Sequence, residues 1–130
     1  MMAVDAARLL GIADRILSGE LALPRGTAVR IAAVLARSVL EDLVVDECGA
    51  RGVDVSETSM RVKLATLTAL SVPKAGELAM IWWTLSRACH QHAYEIAPSA
   101  GEIARLVASI RDYIQGRRAV GLGVGDQPQR

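Results

Sequence analysis

Ser99-Ala100-Gly101-Glu102-Ile103-Ala104-Arg105-Leu106-Val107-Ala108-Ser109-Ile110-Arg111-Asp112-Tyr113-Ile114-Gln115-Gly116 decides the fold. Ile103, Leu106, Val107, Ile110 and Ile114 recur at the spacing of one face of an α-helix. Ser99 and Glu102 stand at capping-box distance, where each side chain can take the other's free backbone amide. The pattern predicts a helix over about 100–116, ended by Gly116. Burying its five aliphatic side chains at ~1.5–3 kcal/mol each would hold it firmly.

Moving back from this element, the same period recurs along the chain. Pro98 and Ser99 break a fourth helix that starts near Lys74 and runs into Trp82–Tyr94. Residues 58–71 predict a third helix carrying Met60, Leu64 and Leu67, capped by Ser56 or Thr58 and stopped before Pro73. A long second helix is expected over roughly 28–50, with Thr27 as cap, Ile31, Leu35, Val39 and Leu43 on one side, and Gly49 and Gly52 at its end. Arg37 and Glu41 are i, i+4 partners, and the acidic groups through Asp46-Glu47 read as a solvated face. A first helix is expected over 3–18 with Leu9, Ile12, Ala13, Ile16 and Leu17 in a stripe. No segment alternates with the period of a strand. The expected fold is all-α, an antiparallel bundle of four to five helices. It forms one domain over 1–116, followed by a flexible, glycine-rich tail over 117–130.

Composition narrows the function classes. Hydrophobic residues make up 52% of the 130, which excludes wholesale disorder. The net charge of +1 supplies no global attraction to nucleic acid or membrane. Only Lys63 and Lys74 of the 15 basic residues are lysines, and arginine suits phosphate contacts because its guanidinium is a permanent bidentate donor. Cys48 and Cys89 fit a reduced cytoplasmic protein better than a disulfide scaffold. No leader is apparent at Met1–Asp5, and no apolar run approaches the ~20 residues of a membrane span.

The rare residues gather in Trp82–Tyr94, which holds both tryptophans and both histidines. At about 100° per residue, Leu78, Ile81, Trp82, Leu85, Cys89 and His92 share one stripe and read as core. Met80, Trp83, Arg87, His90, Gln91 and Tyr94 share another, which mixes aromatic, cationic and imidazole groups. That second face reads as a surface for a partner or a ligand. Cys89, His90 and His92 cannot supply four tetrahedral ligands from one short run, so no metal is expected. Gly121, Gly123 and Gly125 form no phosphate loop, lacking a strand before and a helix after them.

Arg87-Ala88-Cys89-His90-Gln91-His92-Ala93-Tyr94 resembles the signature of the HEPN superfamily: an Arg, four to six residues, a His and, in one subgroup, a Tyr two further on. The resemblance covers about 28–115, because a long helix precedes the motif and a polar break with a closing amphipathic helix follows it. Ala88 stands where the family usually has a polar residue. The resemblance implies a helical bundle, usually dimeric, that cleaves RNA without a metal or other cofactor. Arg87 would hold phosphate and His92 would act as general acid or base. Tyr94 would be the hydroxyl that a partner nucleotidyltransferase antitoxin modifies. His90 and Gln91 are the expected substrate contacts, and Met80 and Trp83 the expected interface residues. On a straight helix Arg87 and His92 diverge by about 140°, whereas His90, three residues from Arg87, shares its side. The other reading is a non-catalytic bundle of the same kind, serving as a dimerisation, protein-binding or nucleotide-binding module.

Overall fold

The computed structural model describes residues 3–90 and 96–125, with side chains described over 5–24, 26–90 and 96–119. It contains five helices: α1 (Ala3–Leu17), α2 (Arg25–Ala50), α3 (Met60–Ala69), α4 (Ala75–Cys89) and α5 (Ala100–Gly125). No strand occurs among the described residues. The chain is an all-α bundle, and no helix of the described residues is long and apolar enough to cross a membrane.

α2 is the central element and touches each of the other four helices. That position explains its sequence. Ala32, Ala33 and Ala36 are fully buried, so neighbouring backbones can approach closely, while Val39, Leu40, Leu43, Val44 and Cys48 fill the space further along. The buried residues of α2 recur at helical spacing as one broad stripe, and the expected row lies at its edge: Ile31 is 36% exposed. In α1 the face is likewise rotated, with Ala6, Leu10, Ala13 and Ile16 buried and Leu9, Ile12 and Leu17 packed at its edge.

Helix ends follow local chemistry. Ser59 caps α3 by accepting the Val62 amide. Ser56 instead donates to Asp54, and Thr58 donates to the Val55 carbonyl, so neither expected cap serves. α2 begins earlier than expected, behind Pro24, and Thr27 falls inside its first turn. Gly52 takes the left-handed conformation (φ 83) just beyond the α2 terminus. Ser99 caps α5 by accepting the Glu102 amide at 3.1 Å, one half of the expected box.

The largest departure lies at the C-terminal end. α5 runs through Gly116 to Gly125, so residues 117–125 are helical where a flexible tail was expected. Arg117, on the turn past Gly116, pairs with Glu47 of α2. Glu47, expected on a solvated face, is only 4% exposed and also binds Arg51 at 2.7 Å. A glycine in a helix costs about 1 kcal/mol relative to alanine. Satisfying a buried carboxylate can offset that cost, because leaving one oxygen unpaired costs about 1–3 kcal/mol or more.

Candidate functional site at the end of α4

α4 divides cleanly into two faces. Ala75, Leu78, Ile81, Leu85 and Ala88 are buried. Met80, Trp83, Arg87 and His90 are exposed, with Met80 at 72% and Trp83 at 50%. Trp82 and Cys89, expected in the core row, lie on the flank between these faces and are half-buried. The rings of Trp82 and Trp83 meet edge to face with centroids 4.8 Å apart.

The flank joins α4 to α2 through a polar chain. Trp82 Nε1 donates to Glu41 Oε1 at 3.3 Å. Glu41 Oε1 also lies 3.5 Å from Arg37 Nε. Arg37 Nη1 in turn lies 3.2 Å from His90 Nε2. A guanidinium can only donate, so this contact requires Nε2 to carry a lone pair and places the ring proton on Nδ1. Arg37 thus orients the His90 ring, and Glu41 fixes the direction of Arg37. Burial pushes the Cys89 thiol up. Arg37 opposes that rise, Glu41 adds to it and Arg30 opposes it more weakly. A raised thiol is a poor nucleophile. Ser86 Oγ, one turn before His90, is buried without a hydrogen-bond partner among the described residues.

α4 stops within the motif. Cys89 is its last residue and His90 its C-cap, with φ −116, ψ 35 and its amide donating to the Ser86 carbonyl. The 140° divergence expected between Arg87 and His92 presumes a helix that continues to His92, and α4 ends before it. His92, Gln91 and Tyr94 lie outside the described residues. Of the expected site residues, Arg87 and His90 lie on the last turn and cap of α4, and Trp83 and Met80 lie one and two turns earlier on the same exposed side. Ala88 is 3% exposed and packs in the core. A polar group there would face apolar neighbours, not the Arg87 side.

Arg37 is the side chain at this candidate site that the sequence did not point to. Its pairing with Glu41 is visible as an i, i+4 spacing, but its contact with His90 spans 53 positions and arises only from helix packing. Among the described residues, no group of three or more His, Cys, Asp or Glu side chains is placed to hold a metal ion. Compared with known proteins, the chain matches no protein family, no curated sequence and no solved structure.

Proposed function

We propose that the chain is a metal-independent endoribonuclease of HEPN type, working as a cytoplasmic homodimer and forming the toxin half of a pair with a nucleotidyltransferase antitoxin. The observation that carries this reading is the end of α4 inside Arg87-x4-His92, which removes the angular conflict of a straight helix. Arg87 is exposed on the last turn, free to clamp a phosphate as charge develops on its oxygens. In the reaction the ribose 2′-hydroxyl attacks the adjacent phosphorus and the 5′-oxygen leaves. His92 takes or returns the proton. His90 and Gln91 contact the RNA, and Arg37 holds the His90 ring. Tyr94 carries the hydroxyl that the partner enzyme blocks.

The test is incubation of purified protein with mixed cellular RNA, beside Arg87→Ala and His92→Ala. Wild type should cleave in the presence of a chelator, and each variant should lose at least about a hundredfold in rate, the usual contribution of one acid–base or charge-stabilising group. Intact RNA with wild type, or equal cleavage by the variants, would sink the assignment.

Two observations favour a second reading, a non-catalytic module that binds a partner through Met80, Trp83 and His90. Ala88 offers no polar group after Arg87, and the His90 Nε2 is already engaged by Arg37. On this reading Trp83→Ala changes self-association or partner capture, while RNA stays intact with every variant.

A further inference from the structure

A second charged cluster lies at the other end of α2, ten residues from Arg37 and so about 15 Å along the helix axis. Glu47 is its centre. One carboxylate oxygen takes Arg117 and the other takes Arg51 at 2.7 Å. Tyr113 lies beside it on the same wall. These groups line a cavity of about 510 Å³, a size that suits a small organic ligand.

The charge balance of the lining is specific. Arg51, Lys74 and Arg117 supply three cations, and Glu47 and Asp112 supply two carboxylates, leaving one positive charge. Glu47 already faces the two guanidiniums. The Lys74 side chain has no hydrogen bond or ion pair among the described residues, and only its backbone carbonyl is engaged, by the Leu78 amide. It is held at the rim in the left-handed conformation, φ 64, which non-glycine residues seldom adopt. Arg117 meets Glu47 through Nε, and Arg51 through Nη1. The remaining N–H groups of both guanidiniums are therefore left over as donors, on side chains that are each 36% exposed. The Tyr113 ring and Pro73 add flat apolar wall. A buried carboxylate thus orients two arginines beside an unpaired lysine, next to a surface on which a ring can stack.

We propose that this cavity binds a small planar molecule bearing a phosphate or carboxylate group, with the anion on Lys74, Arg117 and Arg51 and the ring against Tyr113. The site does not depend on the ribonuclease reading, because none of its residues belongs to the α4 motif. The experiment is isothermal titration of the full chain with four probes: adenosine 5′-monophosphate, indole-3-acetate, and their neutral counterparts adenosine and indole. At least one anion should bind at submillimolar to millimolar concentration, its neutral counterpart should not, and the stronger of the two anions identifies the acid group. Arg117→Ala also disturbs Glu47, so the clean variant is Lys74→Asn, which removes the charge and tolerates the left-handed backbone. Lys74→Asn should weaken binding about tenfold while leaving the unfolding midpoint in place. The proposal is overturned if neither anion binds, if the neutral probe binds equally well, or if Lys74→Asn binds like wild type.

Discussion

Tyr113 keeps its phenolic proton longer in the folded chain than in the unfolded one. Burial raises its pKa above the ordinary 10.0, the Glu47 carboxylate raises it further, and Arg117 and Arg51 oppose the rise. The sign of the pH dependence follows. Below the unfolded value both states hold the proton and the full stabilisation is present. Above it the unfolded chain releases the proton first, so stability falls as pH rises through the folded value. Relative to Tyr113→Phe, which has no phenol to titrate, wild type should lose stability as pH rises from about 9 to about 11. Urea unfolding of both proteins across that range reads the difference directly. Cys48, whose thiol is also pushed up by burial, titrates in both proteins and cancels. Parallel stability curves would deny that the fold holds this phenol's proton.

At the scale of elements, α5 beyond Gly116 is a working part of the bundle. Arg117 lies on the first turn past Gly116 and closes one side of a buried carboxylate. A chain ending at Gly116 should therefore lose about 1–3 kcal/mol, the cost of leaving a buried charged group half-paired. Arg117→Ala in the full chain should reproduce most of that loss, and Glu47→Gln should shrink it. Chemical denaturation of the three proteins checks the ranking, and a truncated chain as stable as the full one would deny the extension this role. The same extension marks the limit of sequence reading. α5 up to Gly116 was legible because Ile103, Val107 and Ile110 lie on a face with a single apolar environment, and all three are fully buried. Its continuation was not, because glycine signals a helix stop locally and Glu47, which the next turn meets, is remote in sequence. α2 was legible as a helix but not in its orientation, since apolar Ile31 and Val34 stand on its exposed side and blur the phase of the pattern. At the candidate site, the exposed row Met80, Trp83, Arg87 and His90 could be read from helical spacing alone. Arg37 beside His90 could not, because no local spacing relates α2 to α4.

At the scale of the whole molecule, the proposed function would tie oligomeric state to activity through the exposed side of α4. A stable dimer of a protein this size buries about 800 Å² from each partner, roughly a tenth of the 8286 Å² accessible here. Met80 and Trp83 are the large apolar side chains exposed on α4, two turns and one turn before Arg87. A dimer built on this face would bring two copies of the motif together, as the proposed catalysis requires. Replacing both residues, Met80→Glu with Trp83→Glu, places two like charges on each copy of a self-complementary surface, where they repel across the two-fold axis. Neither side chain is buried, so the unfolding free energy should change by no more than about 0.5 kcal/mol apart from the edge contact that Trp83 makes with Trp82. Sedimentation velocity should show a dimer for wild type and a monomer for the double variant, and RNA cleavage should fall with the dimer fraction. A wild-type monomer would remove this face as a self-association surface. A double variant that is monomeric yet still cleaves RNA would confine the chemistry to a single copy, with Arg37, Arg87 and the histidines supplied by one chain.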